Sequence, residues 1–438
     1  MRSHILACRL LGTPIARQTF FLFILDSLTN LTDYAFHIYL GRVLLAGDFA
    51  VFQTVNSALL VVVTAFGVFQ PVVVRFVAAR TTDVQQAIFR EYFGWSNAAG
   101  IVFAIGVLMV RHPIANWLNV PSLTIALSAG VVLFSFSRPV VWGMLQGQQR
   151  FMAFGTTRLV YAVGRFVVAV LFIRWGWPTP TYGEGAAMGA VAALPVGTAL
   201  SLGVGVLFLG ITLTPRTSFA SPLPAGEGPG VREGLRLSGY AFVAYLAYTA
   251  LLNNDLLWVN RAFSPDEAGA YAGAVLLRRI LLLLPGAIVV VFYPRAVAAI
   301  AQKRLPDRLL AFSSGVVTVT ILALTLVYFA FGDEIVRLAF GDNFRLAGPL
   351  LGWMGVAILG FSIAAIWMNL ALATNPGPFV ALLAVMVGLQ WAGLGWANGG
   401  LPGVVQIFAL TGWGLALGGA VIYFGWQRPR LILRFNEK

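Results

Sequence analysis

Residues 26–37 read DSLTNLTDYAFH, inside a stretch (18–40) that is otherwise apolar enough to cross a membrane. Asp26, Asn30, Asp33 and His37 recur at intervals of four, three and four residues. At about 3.6 residues per turn, these side chains share one narrow stripe of a helix. A charged side chain at the centre of a bilayer costs about 2.5–3.5 kcal/mol on insertion scales. Two acids and a histidine on one face therefore point into a bundle or a hydrated cavity rather than at lipid.

The rest of the chain supports that setting. Of 438 residues, 59% are hydrophobic and 10% are charged, where soluble proteins carry about 25% charged residues. The composition is that of an all-α polytopic membrane protein. Spans of about 20 apolar residues can be read at 18–40, 50–74, 94–111, 122–143, 154–174, 185–211, 237–260, 271–294, 308–331, 347–373, 377–397 and 403–426, about twelve in all. The net charge is +13, almost all of it arginine, since the only lysines are Lys303 and Lys438. Alternate connections hold most of these cations: Arg75, Arg80 and Arg90 follow span 2, and Arg295, Lys303, Arg304 and Arg308 follow span 8. The positive-inside rule places these connections, and both termini, in the cytoplasm of a prokaryotic inner membrane. Anionic lipid headgroups are the second reading of the charge. Nucleic acid is not expected as a partner, because no soluble basic domain exists to hold it. With a single cysteine, Cys8, no intrachain disulfide can form.

The longest connection, 212–236, reads TLTPRTSFASPLPAGEGPGVREGLR and is rich in Pro, Gly and Ser. It is expected to be a flexible cytoplasmic linker between an N-lobe (1–211, spans 1–6) and a C-lobe (237–438, spans 7–12). The halves resemble each other: GDFAVFQTV (47–55) parallels DEAGAYAGA (266–274), and VFQPVVVRFVAA (68–79) parallels VFYPRAVAA (291–299). Six spans per half make both enter from the same side, so the lobes are expected to be related by a pseudo-two-fold axis along the membrane normal.

No Ser-His-Asp set, phosphate-binding Gly loop, Cys pair or metal-ligand cluster is present in the sequence, and there are only three histidines, so an enzyme is not expected. The informative residues are polar groups within spans. Arg158, Tyr161 and Arg165 share a face of span 5. Tyr248 and Asp255 lie seven apart on span 7, with Asn253 and Asn254 between them. Arg278 and Arg279 sit in span 8, with Tyr271 seven residues before Arg278. Two readings stay open. In one, Asp26 or Asp33 pairs with Arg165, and Asp255 with Arg278, simply to lock helices. In the other, the groups line a cavity in which Arg158, Arg165, Arg278, Arg279 and Tyr161 bind an anionic substrate through guanidinium–phosphate contacts. Asp26, Asn30, Asp33, His37 and Asp255 then couple H⁺ or Na⁺ to transport.

The stretches YLGRVLLAGDFAVFQ (39–53), FGVFQPVVVRFVA (66–78), MLQGQQRFMAFGTTRLV (144–160), NNDLLWVNRAFSPDEAGAYAGAVLLRRI (253–280), PGAIVVVFYPRAVA (285–298) and IVRLAFGDNFRLAGPLLGWM (335–354) occur in this order. As an ordered set they resemble the polysaccharide biosynthesis flippases of O-antigen and capsule type. These belong to the multidrug/oligosaccharidyl-lipid/polysaccharide flippase superfamily. The resemblance implies two six-helix lobes around a central cavity. It also implies alternating access, with a lipid-linked glycan crossing to the outer leaflet through a cationic interior. A glycan polymerase and glycosyltransferases are the protein partners it suggests, and no cofactor is expected. The lipid-II flippase branch has more spans than twelve, so that branch does not fit. The rival within the superfamily is a cation-coupled multidrug exporter, which calls for an apolar or acidic pocket. The rival from another class is a non-transporting membrane scaffold.

Overall fold

The computed structural model of the chain describes residues 14–67, 69–77, 82–175, 184–210, 229–397 and 399–436. These are helical almost throughout: α1 (Pro14–Val43), α2 (Ala46–Gly67), α3 (Phe69–Val77), α4 (Thr82–Met109), α5 (Arg111–Leu118), α6 (Ser122–Ser135), α7 (Arg138–Gly147), α8 (Phe151–Trp175) and α9 (Glu184–Leu209) precede the long connection. After it come α10 (Pro229–Leu251), α11 (Asn254–Ala262), α12 (Pro265–Ile280), α13 (Leu283–Ala301), α14 (Asp307–Phe340), α15 (Gly348–Ala373), α16 (Gly377–Gly395), α17 (Gly400–Ile422) and α18 (Arg428–Asn436). Residues 229–236, expected within the flexible linker, are instead the first turns of α10. Residues 211–228 lie outside the described residues.

Nine stretches among the described residues are long and apolar enough to cross a membrane. The three further spans read from sequence, 18–40, 237–260 and 271–294, correspond to α1, α10–α11 and α12–α13. Each carries charge inside it, Asp26 and Asp33 in the first, Asp255 in the second and Arg278 with Arg279 in the third, and the latter two are broken by turns at residues 252–253 and 281–282. The exposed side chains of the apolar spans, such as Val102, Leu326 and Val421, are the kind that face lipid rather than water.

The helices gather into two compact units. One takes the chain up to Leu40 and from Phe66 to the long connection; the other takes Gly41–Ala65 with the chain beyond the connection. Most of α2 therefore packs with the second half of the sequence. In the first unit α8 lies along α9, α6 along α4 and α9, and α7 against α3. Its core is built from Val73, Phe89, Val141, Met144, Phe154 and Leu202. In the second unit α15 is apolar and buried on all faces, as expected of a helix surrounded by others. It packs against α14, α17, α13 and α12. Gly360 and Gly412 bring the α15 and α17 backbones together; a Cβ on Gly360 would stand 2.7 Å from the Gly412 carbonyl carbon.

The α2 segment is held in the second unit by two features. Arg42 donates from Nε to Ala339 O (2.9 Å) and from Nη2 to Leu338 O. It thereby satisfies carbonyls that the end of α14 leaves without amide partners. Farther along, Phe49 packs edge-on to Phe344, with ring centroids 5.4 Å apart. Gly269 lets α12 pass against the start of α2, because a Cβ there would collide with the carbonyl of Ala46. Gly269→Ala is expected to destabilise the protein by about 1–3 kcal/mol through overpacking. Gly315→Ala, where a Cβ meets no atom within 4 Å, should leave the melting temperature unchanged or higher. Thermal unfolding of the two variants side by side checks this.

Candidate functional site

Three spans break in mid-course, and each break has a chemical cause. In span 4, Pro139 offers no N–H to Ser135 O, and the chain turns at residues 136–137 before α7 begins at Arg138. In span 8, Pro285 likewise brings no N–H to Leu281 O. The helix tightens there, with Leu281 N donating to Arg278 O (3.1 Å) and Leu282 N to Arg279 O (3.1 Å). This strands Leu277 O, which Tyr328 supplies with its hydroxyl at 2.8 Å. In span 7, the turn at residues 252–253 strands three carbonyls. Asn253 Nδ2 donates to Thr249 O (2.7 Å), Gln390 Nε2 to Leu251 O (3.0 Å) and Arg278 Nη2 to Leu252 O (2.7 Å). In lipid, side chains must make good what a broken helix leaves unbonded.

Arg278 does more than cap that break. Its guanidinium grips Asp255 in a two-point contact, Nη2 to Oδ1 at 2.9 Å and Nη1 to Oδ2. Tyr271 donates to the same Oδ2 at 2.6 Å. The Arg278 Cζ lies 4.0 Å from the Phe408 ring centroid. The Arg278 and Asp255 side chains are 2% and 0% exposed, so this is a closed, mutually satisfied group. Arg279, next in sequence, points elsewhere and donates to Ser57 Oγ (2.8 Å) and Asn253 Oδ1 (3.0 Å). Tyr248 donates to Phe361 O (2.9 Å).

The first unit arranges its charges differently. The α1 stripe faces the α8 stripe, and the two helices run parallel in register. Arg158 Nη1 meets Asp26 Oδ1 at 2.5 Å, and Arg165 Nη2 meets Asp33 Oδ1 at 2.6 Å. Both acids and both arginines are seven residues apart, so the pairs form two rungs, two helical turns from each other. The first rung is partly open, with side chains 29% and 37% exposed. In the second, Arg165 is buried and Asp33 is 34% exposed. That pair is close but out of line for a hydrogen bond: Asp33 Oδ1 accepts none, and Arg165 Nε has no acceptor. Arg165 also donates to the Tyr161 hydroxyl (3.3 Å) and lies over the rings of Phe36 and Tyr161 at 4.8 and 4.9 Å. Asn30 is exposed on the same stripe, and His37 is buried, its ring 5.2 Å from that of Phe36.

One residue of this group was not singled out from the sequence. Arg138, at the start of α7, stands over Trp142 at 4.8 Å and Tyr161 at 5.8 Å. It has no charged neighbour three or four residues away to form a stripe. The only signal in the sequence was its position beside Pro139, within span 4. The second unit also contains a cavity of about 1070 Å³ lined by Asp266, Glu267, Asp342, Asn343 and Arg345; none of the residues singled out from the sequence lines it.

A family model described as polysaccharide biosynthesis protein matches residues 15–299. An uncharacterized protein of Mycobacterium tuberculosis strain H37Rv is 26% identical over 260 residues, 57% of this chain and 52% of its own length. The chain thus spans about half the length of the curated relatives it matches. An inward-facing multidrug resistance MATE family transporter of the MOP superfamily aligns over 92% of this chain and 95% of its own, with a TM-score of 0.71 and 14% identity. An outward-facing transporter of the same description covers 95% and 94%, with a TM-score of 0.62 and 14% identity. At such identities the likeness is one of fold: an all-helical, multi-pass membrane protein of two lobes.

The closed group makes a separable prediction. Asp255→Ala leaves Arg278 buried without its counter-charge, which is expected to cost about 3–5 kcal/mol. Unfolding of purified protein by a denaturing detergent should shift accordingly. A variant unfolding at the wild-type midpoint would show that the pair is not a structural lock.

Proposed function

The chain belongs to the polysaccharide biosynthesis protein family, and from that membership we propose that it is a flippase. It moves a polyprenyl-(pyro)phosphate-linked oligosaccharide from the cytoplasmic to the outer leaflet of a prokaryotic inner membrane by alternating access. The observation that carries this reading is the charge of the group around α8: three arginines, Arg138, Arg158 and Arg165, against two aspartates, Asp26 and Asp33. A membrane interior with cations in excess favours an anion, and guanidinium groups match phosphate oxygens. The same excess disfavours the alternative, a multidrug exporter for cationic compounds.

The roles expected from the sequence divide between the two units. Arg158, partly exposed, and Arg165 and Tyr161 behind it serve the headgroup. Arg278 and Asp255 neutralise each other and hold the span 7 break, so Asp255 orients Arg278 rather than coupling an ion. Arg279 is held by Ser57 and Asn253, and shapes that region. Asp33 and Asp26, with Asn30 and His37 on the same stripe, are the coupling groups. A phosphate that engages Arg165 competes with Asp33. The released carboxylate, in a poorly solvated site, favours binding H⁺ or Na⁺.

The experiment is translocation in proteoliposomes of a fluorescent polyprenyl-pyrophosphate sugar, run beside export of a cationic dye. Movement of the lipid without the dye supports the flippase; the reverse supports the multidrug exporter. Asp33→Asn should insert normally but slow transport by about tenfold or more and abolish its ion dependence. Full rate and intact ion dependence in Asp33→Asn would remove Asp33 from the coupling role.

A further inference from the structure

Each of the other arginines in the α8 group already has a carboxylate: Arg158 has Asp26, and Arg165 has Asp33. Arg138 does not. Among the described residues it has neither an ion-pair partner nor a hydrogen-bond acceptor; its contacts are the rings of Trp142 and Tyr161. Aromatic rings attract the cation through their faces but supply no lone pairs to its five N–H donors. Two further donors in this group also lack acceptors: the buried Nε of Arg165 and the buried Nε1 of Trp142. The group is rich in donors, poor in acceptors and surplus by one cation.

We infer that Arg138, steadied by Trp142 and Tyr161, is the residue that receives the phosphate oxygens of the anionic ligand, a role nothing in the sequence pattern assigned to it. The inference deepens the flippase reading and rests on it for the source of the phosphate, a lipid headgroup. Three features fit one oxyanion at this place. Arg138 sits at the first residue of α7, where the helix dipole also favours negative charge. It lies inside span 4, about two-thirds of the way along Ser122–Gly147, where the protein must solvate a bound anion. Its ring contacts hold the side chain in place before the ligand arrives, so less side-chain freedom is lost on binding. An anion bound at Arg138 lies beside Arg165 as well, and the bent Arg165–Asp33 pair is then the contact it loosens.

The test uses the full chain in lipid nanodiscs and two probes, inorganic pyrophosphate and farnesyl pyrophosphate, with affinities measured by calorimetry for wild type, Arg138→Gln and Arg138→Lys. Arg138→Gln removes a half-buried cation that has no carboxylate partner, so it should fold at least as well as wild type; Arg138→Lys keeps the charge and guards against misfolding. The expected result is binding of at least one probe by wild type, about tenfold or more weaker in Arg138→Gln and intermediate in Arg138→Lys. Weaker binding of both probes in Arg138→Gln identifies a site for the phosphate itself, and loss confined to farnesyl pyrophosphate identifies a lipid-headgroup site. Arg138→Gln binding like wild type, or wild type binding neither probe, overturns the inference. The two readings separate in transport. If the lipid-linked sugar moves at the same rate in wild type and Arg138→Gln, the flippase stands and Arg138 falls. If pyrophosphate binding depends on Arg138 but the lipid is never moved, the site stands and the flippase reading falls.

Discussion

A bilayer interior offers neither water nor counter-ions, so a charge or an unbonded carbonyl there must be answered from within the protein. This constraint accounts for most of what is unusual in the chain. It explains why the acids of α1 pair with Arg158 and Arg165 of α8, and Asp255 with Arg278. It also explains why the breaks in spans 7 and 8 are lined by Asn253, Gln390, Arg278 and Tyr328. Each of these donates to a carbonyl that the turn has stranded.

Within that constraint the two units use charge in opposite ways. In the second, Asp255, Arg278 and Tyr271 close on each other, fully buried, with the carboxylate saturated by donors. Such a group is costly to open and suits a fixed scaffold. In the first, the two rungs between α1 and α8 are partly exposed, and the Arg165–Asp33 contact is bent and short of acceptors. Pairs of that kind exchange partners at less cost. The groups proposed to act in translocation lie on α1, α7 and α8, while in the second unit α15 forms a buried, apolar core.

Much of this was legible in the sequence because it is periodic. The 4-3-4 spacing of the α1 stripe and the seven-residue step from Arg158 to Arg165 each define a helix face. Equal seven-residue steps on parallel helices are what bring both rungs into register. The Asp255–Arg278 pairing was one of two open readings, and the pair is formed and buried in the structure. Arg138 escaped notice because it is a single cation with no charged residue near it in sequence, and Trp142 reads as an ordinary core residue. The assignment of residues 41–65 to the second unit also escaped notice. It depends on Arg42 reaching the end of α14 and on Gly269 admitting the α2 backbone, contacts some 220 to 300 positions apart in sequence that no local pattern encodes.

The central claim is that surplus positive charge inside the first unit selects a phosphorylated carrier. The most direct measurement compares translocation of one glycan on two carriers of equal chain length, one joined through pyrophosphate and one through an uncharged ether. The pyrophosphate carrier is expected to cross faster by about tenfold or more. Equal rates for the two carriers would contradict it.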